Sequence, residues 1–201
     1  MGNKREPFEP GCFFHVYNHG NGDDNIFRQD KNYAYFLKKY GEYIEPVAET
    51  YAWCLMPNHF HFAIRIKDEK ELAQTRKVFG NLAGLDGPSG LDKLISRKFG
   101  NFLNAYVKAF NKMYNRRGSL FLDNLKRKKV ENKDYMIKLI HYIHYNPVHH
   151  GFVKNITDWE YSSYHAFQTP VKETHLKRET VLEWFGEVRT FEKIHRLKPK
   201  L

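Results

Sequence analysis

Residues 51–66, Tyr-Ala-Trp-Cys-Leu-Met-Pro-Asn-His-Phe-His-Phe-Ala-Ile-Arg-Ile, constrain the fold more than any other stretch. Two apolar runs flank a Pro57-Asn58 turn signal, which predicts two antiparallel strands joined by a tight hairpin. Side chains on a strand alternate between faces. His59, His61, Ala63 and Arg65 therefore share one face, and Phe60, Phe62, Ile64 and Ile66 share the other. The aromatic and aliphatic face needs a cover, for which helices are the expected elements. The opposite face presents two imidazoles at neighbouring outward positions, close enough to grip one ion or one phosphate. A lone His-x-His pair is weak evidence, because surface histidines at this spacing are common.

The 201 residues predict one domain, or one domain with an appendage. Hydrophobic residues make up 41% of the chain and aromatic ones 16%, enough for a core, so disorder is not expected. Cys12 and Cys54 both fall in predicted strands and read as small buried hydrophobes in a reducing compartment. No run reaches membrane-spanning length and the N-terminus lacks a signal-peptide core, so a cytoplasmic location is expected. The net charge is +10. From Arg97 to Lys129 ten basic residues face one acid, Asp123, which points to a polyanionic partner, nucleic acid before others.

Taken in order, residues 1–11 read as a leader and Cys12–Asn18 as a first strand. Gly20 to Asp24 is a loop. Asp30 opens a helix with Tyr33, Phe36, Leu37, Tyr40 and Ile44 at helical spacing, closed before Pro46. The hairpin follows, then a helical segment from Asp68-Glu69. Gly80–Gly90 reads as a loop excursion. A third helix carries Phe99, Phe102, Leu103, Tyr106, Phe110 and Met113 on one stripe, and a fourth strand is expected from about Leu120 to Val130. Asn132 or Asp134 caps a helix from Tyr135 to about Asn146, stopped by Pro147. The rest is read as an irregular region over 148–169, a short helix near Thr180–Phe185 and a basic tail.

Strand, helix, strand, strand, helices, strand is the split β-α-β order of an α+β, ferredoxin-like antiparallel sheet, with helices on one face and the other face left open. The expected organisation is a leader (1–11), a main domain (12–150) and a C-terminal extension (151–201). The helix after the fourth strand can return to the open face. On it Tyr142 and Asn146 are four apart and stack on one side, while Met136, Ile140 and Ile143 form a separate anchoring stripe. If that polar side meets His59 and His61, two imidazole nitrogens and an amide oxygen converge with a phenol beside them. Such neutral donors leave coordination positions open for water or phosphate. An unperturbed tyrosine, pKa about 10, is a poor nucleophile that a metal-bound phosphate would help by charge withdrawal. The chain holds 13 tyrosines, and Tyr135, Tyr145 and Tyr114 rival Tyr142 for the role.

Leu55-Met56-Pro57-Asn58-His59-Phe60-His61, His15-Val16-Tyr17-Asn18 and Tyr142-Ile143-His144-Tyr145-Asn146-Pro147-Val148 together resemble the single-tyrosine HUH transposases. Gly151-Phe152-Val153 and Asp158-Trp159-Glu160-Tyr161-Ser162-Ser163-Tyr164 resemble their REP-associated branch. The resemblance spans about residues 12–167. It implies a single-stranded DNA endonuclease and strand transferase that recognises a hairpin beside its cleavage site. It implies His59, His61 and Asn146 as metal ligands, Tyr142 as nucleophile, magnesium or manganese as cofactor, and a 5′-phosphotyrosine product with a free 3′-hydroxyl. The chain departs from the family pattern at His19 and at His149-His150.

Arg116, Arg117, Lys126, Arg127, Lys128 and Lys129 are candidate DNA contacts. The long C-terminal part favours a monomer whose tyrosine serves its own site. The competing reading is a non-catalytic nucleic-acid-binding regulator on a ferredoxin-like sheet, although residues 59–66 lack the aromatic-glycine signature such sheets use for stacking. A replication initiator or relaxase would share the chemistry and differ in biological substrate.

Overall fold

The computed structural model describes residues 6–22, 24–79, 87–122, 125–169 and 174–199. Its sheet is built from β1 (Phe13–His19), β2 (Ala48–Met56), β3 (His59–Ile66) and β4 (Lys126–Val130), in the order β2-β3-β1-β4. Every neighbouring pair is antiparallel. This is the split β-α-β arrangement: β3 lies between β1 and β2, and β1 lies between β3 and β4. Alternation along β1 and β3 sends Phe14, Val16, Phe60, Phe62, Ile64 and Ile66 into one core. That core is covered by α1 (Asp30–Tyr43) and α3 (Gly87–Met113), through Tyr33, Phe36 and Tyr40 on the first and Phe99, Phe102, Tyr106 and Phe110 on the second.

The helix after β4 does return to the second face of the sheet. α4 (Lys133–His149) crosses it, and Met136, Leu139, Ile140 and Ile143 pack on Ala52, Cys54, Met56 and Ala63. The C-terminal part completes this second core: Phe167 on α5 (Tyr164–Gln168), Val181 and Phe185 on α6 (Arg178–Phe185) and Phe191 on α7 (Val188–His195) are buried there. The region expected to be irregular thus contains α5 and a 3-10 turn at Ile156–Asp158, and the expected basic tail contains α7.

Several boundaries also differ. Residues 6–11, read as a leader, are tied down: Phe8 is buried between Phe14 and Phe99 at 5.1 and 5.2 Å, and Gly11 N–H donates to Ile66 O at 3.0 Å. One apolar residue with a place in the core orders a stretch whose composition alone looks unstructured. Gln29 rather than Asp30 takes the cap position of α1, where Asn32 Oδ1 accepts from the backbone N–H of Arg28 and Gln29. The expected loop at Gly80–Gly90 lies outside the described residues up to Asp86, and from Gly87 the chain is already α3. Pro88 in a first turn forfeits no hydrogen bond. β4 is shorter than expected, because Phe121 pairs only with Gly20 in an isolated bridge.

The helix expected to stop at Pro147 runs on to His149. What ends it is Gly151, at φ 72°, in a Schellman motif: Phe152 N–H donates to Pro147 O at 2.9 Å and Gly151 N–H to Val148 O at 3.1 Å. At the other end Asn132, one of the two expected caps, accepts from Tyr135 N–H at 2.9 Å. Both cysteines are unpaired, and burial pushes the Cys54 thiol far above its usual range. Among the described residues no helix is long and apolar enough to cross a membrane.

Candidate active site

The hairpin places His59 and His61 on the α4 face, in register with His19 and Tyr17 of β1. α4 lies mainly over β2 and β3. The Asn132 cap and the Met136–Ile140–Ile143 anchor set its rotation, so Tyr142 and Asn146 turn toward the histidines. The Tyr142 ring stands edge-on to His61 at 5.8 Å and to His15 at 6.3 Å. One turn on, Asn146 is fully buried beside His59. Its Nδ2 donates to Tyr142 O at 3.1 Å, while its Oδ1 has no hydrogen-bond partner. That oxygen stands near enough to His59 to favour its protonated form, yet outside hydrogen-bond geometry. An unpartnered buried acceptor costs about 1–3 kcal/mol.

Each histidine has one ring nitrogen engaged. His59 Nδ1 donates to Asn58 Oδ1 at 2.7 Å, which leaves Nε2 with its lone pair. His61 Nδ1 is 2.8 Å from His15 Nε2, and donation from His61 again leaves its Nε2 as an acceptor. Burial pushes the His59 imidazole down to about 3, with His150 and His19 adding to the effect and Asn146 opposing it. Burial pushes His61 well down, helped by His15, and pushes His15 down to about 4 with a contribution from Lys128. All three are neutral at pH 7, the form in which an imidazole can ligate a metal. Among the described residues no three His, Cys, Asp or Glu side chains cluster as a metal site. The His59 and His61 rings stand 5.2 Å apart, and the Asn146 carboxamide lies beside His59. Asn146 Oδ1, buried without a partner, is an acceptor of the kind a cation would satisfy.

Of the rival tyrosines, Tyr145 and Tyr114 lie away from the site histidines, whereas Tyr135 reaches Lys128, the residue opposite His15. Tyr135 meets Lys128 Nζ at 3.4 Å through its hydroxyl. Tyr145 lines a hollow of about 420 Å³ with Tyr164, His195 and Arg196. Tyr114 donates to Asn32 Oδ1 at 2.8 Å on the first core. Tyr17 is a phenol that sequence reasoning left without a role: its ring stacks on His61 at 5.6 Å and lies 4.7 Å from His15.

The four basic candidates on β4 divide by strand register. Lys126 pairs with Tyr17 and Lys128 with His15, so both share the histidine face, and both are exposed. Arg117 is exposed as well. Arg127 points the other way. Its side chain is 1% exposed, lies over the Phe8 ring at 3.9 Å, pairs with Asp92 at 2.8 Å and bonds Ser96 Oγ and Glu6 O. It is a structural residue of the first core, which corrects its expected place at a DNA surface. Arg116 is bound to Asp24 and to the Ser119 carbonyl, and Lys129 to Glu9, so these two are also engaged within the fold.

No protein-family model matches the chain. Over 123 residues it is 28% identical to a Haemophilus influenzae protein whose name places it among the REP-associated tyrosine transposases; the match takes in 58% of this chain and 59% of that protein. The chain thus spans about three fifths of that relative's length. A solved structure of a REP-associated tyrosine transposase bound to a REP hairpin overlays with a TM-score of 0.61 at 18% identity, covering 87% of this chain and 90% of that one. The chain is similar to the REP-associated tyrosine transposases. At 18% identity the overlay shows a shared fold, and the local chemistry rests on the residues themselves. His15 belongs to a motif that carries the resemblance, yet its partner lies 46 positions away. Only the β1–β3 register, His15 opposite Ala63 and Tyr17 opposite His61, brings those rings together.

Proposed function

We propose that this chain is a metal-dependent single-stranded DNA nuclease and strand transferase that cleaves beside a DNA hairpin through a 5′-phosphotyrosine on Tyr142. The observation that carries this reading is the meeting of Tyr142 with His61 while Asn146 Oδ1, one helical turn away, is buried without a partner. Sequence similarity to one REP-associated tyrosine transposase, and fold similarity to another whose structure holds a REP hairpin, point the same way. His59, His61 and Asn146 would hold magnesium or manganese, which when bound withdraws charge from a phosphate oxygen and stabilises the pentavalent transition state.

The chain's own residues do the rest. Asn58 and His15 hold the two imidazoles in one tautomer and orientation. α4, anchored on β2 and β3, carries Tyr142 to the site. The Tyr142 oxygen forms a bond to phosphorus as the bond to the 3′-oxygen breaks. The phenol gives its proton to solvent, and the departing oxygen takes one from solvent to leave as a 3′-hydroxyl. The phosphodiester is conserved as a phosphotyrosine, so a second 3′-hydroxyl can reverse the step and join strands. Lys126 and Lys128, exposed on the same face along β4, are placed to neutralise backbone phosphates. Because Tyr142 stands against its own chain's histidines, the arrangement supports action in cis by a monomer.

Incubation with single-stranded hairpin DNA from the flanks of its own gene, with and without manganese, tests the proposal. A covalent protein–DNA band that needs manganese and disappears in Tyr142→Phe, with binding retained, is the expected result. Binding indifferent to chelator, with no adduct under any metal, would overturn it in favour of a non-catalytic binding module.

A further inference from the structure

The hollow of about 420 Å³ that Tyr145 lines has no part in the cleavage chemistry. It opens between α4, the 3-10 turn at Ile156–Asp158, α5 and α7. Tyr145 and Val148 reach it from the side of α4 that meets α7, where His141 packs on His195 at 4.8 Å. Tyr142 and Asn146 turn instead toward His61 and His59. A hollow of this volume is in the range of pockets that hold small molecules.

The polar groups around it have more protons to give than acceptors to take them. Lys154 and Arg196 are exposed cations at its rim, and among the described residues neither is paired with an acid. Glu192 is the only acid among the described lining residues, and Gln168 Nε2 already donates to it at 3.2 Å. Neighbouring Asp158 is taken up by Asn155 Nδ2 at 3.0 Å and Thr157 Oγ1 at 3.3 Å. Tyr164 is 4% exposed, and its hydroxyl accepts from Gln168 Nε2 at 3.5 Å, which leaves its own proton without an acceptor. Burial raises this phenol, with Glu192 adding to the effect and Arg196 opposing it, so both charges lie within reach of the hydroxyl. The Tyr145 hydroxyl has no hydrogen-bond partner among the described residues. A wall of this kind lacks an acceptor-rich anion. A phosphate monoester supplies three terminal oxygens and a charge of about −1.5 to −2 at neutral pH. A guanidinium grips it with paired donors and an ammonium as a point charge. The volume leaves room for a body beyond the phosphate, with Val148 and Ile156 as the apolar wall for it.

We propose that this hollow binds a small phosphomonoester of the nucleoside monophosphate class, with Arg196 and Lys154 on its phosphate, Tyr145 donating to it, and the ligand bridging α7 to α4. The site needs no metal, so binding is measured by calorimetric titration with a chelator present. The probes are the four deoxynucleoside monophosphates, the matching nucleosides and inorganic phosphate. At least one monophosphate is expected to bind about tenfold or more tightly than its nucleoside, the effect of a charge-assisted hydrogen bond. Arg196→Gln and Lys154→Gln, both at exposed positions, are each expected to weaken it about tenfold. Lys193→Gln, an exposed cation of α7 outside the hollow, is expected to leave it unchanged. Amide hydrogen exchange in α7 is expected to slow when the monophosphate is bound. Equal affinity for nucleoside and monophosphate, no binding of any probe, losses in Lys193→Gln as large as in Arg196→Gln, or unchanged exchange in α7 overturns the proposal. The manganese-dependent Tyr142 adduct is scored separately, and its presence or absence bears on the nuclease reading alone.

Discussion

At the scale of single residues, the site is defined by what each polar group lacks. Asn146 Oδ1 has no partner in a buried setting. Asn146→Leu removes that unsatisfied acceptor, so the metal-free protein is expected to gain about 1 kcal/mol of stability. Manganese, which should raise the melting temperature of the wild type by binding only the folded state, should leave the variant unmoved. Thermal melts with and without manganese check both halves, and a variant still stabilised by manganese would remove Asn146 from the ligand set. His15 works one step back, through His61 Nδ1 at 2.8 Å. His15→Ala is expected to weaken manganese binding about 10- to 100-fold, the usual effect of losing a group that orients a metal-ligating histidine. Titration followed by the paramagnetic resonance of free manganese measures it, and His15→Gln, which keeps an acceptor, should recover part of the loss. Helix and strand periods put Tyr142 with Asn146, and His59 with His61, on shared faces, whereas the choice of Tyr142 over its rivals came only from the family resemblance. The roles of His15 and Tyr17 were not legible, since they depend on the pairing of β1 with β3.

At the scale of elements, α4 does the positioning, and its two ends were unequally readable. Asn132 and Asp134 both announced the start, and Asn132 takes the cap. The end was hidden because Pro147 looks like a stop, yet a proline in a last turn forfeits a single helical bond, and the buried seat of α4 on β2 and β3 offsets it. The stop is Gly151 in the left-handed region at φ 72°, where an added Cβ would meet nothing within 4 Å. Gly151→Ala should therefore cost backbone strain alone, about 1–2 kcal/mol. Urea unfolding is the measure, and adduct formation by the folded fraction is expected to be unchanged. A much larger loss would mean that the Schellman turn organises the site itself. β4 shows the same contrast. Its run of cations read as one DNA surface, but alternation sends Lys126 and Lys128 to the site face and turns Arg127 into the first core against Phe8 and Asp92.

At the scale of the whole molecule, the sheet carries a core on each face, and the second was the part least visible in the sequence. α6 matches the short helix expected near Thr180–Phe185, but α7, eight residues long, was read as tail, and both pack on residues of β2 and α4 far away in the chain. That core contains a directed chain of polar groups. Trp53 N–H donates to Ser163 Oγ at 2.9 Å, Ser163 Oγ meets His144 Nε2 at 2.8 Å, His144 Nδ1 meets His195 Nε2 at 2.9 Å, and His195 Nδ1 donates to Phe191 O at 2.8 Å. The chain of bonds is complete only while both imidazoles are neutral. Burial pushes His195 down to about 3, against the opposing pull of the Phe191 carbonyl and with help from nearby His141, and burial also drives His144 well down. A histidine whose folded pKa is below its unfolded value of about 6.5 takes up its proton first in the unfolded chain. Its stabilising effect is therefore complete above pH 6.5, shrinks as the pH falls toward 3, and is gone below that. His195 alone should cost about 2 kcal/mol of stability between pH 7 and pH 5. His15 and His59, lowered in the same direction, steepen the fall. Urea midpoints measured across that interval should drop for the wild type and drop less for His195→Gln, whose side chain can still accept from His144 without titrating. If the two pH profiles run parallel, the buried histidine relay does not tie the C-terminal helices to α4, and the second core would have to hold by apolar packing alone.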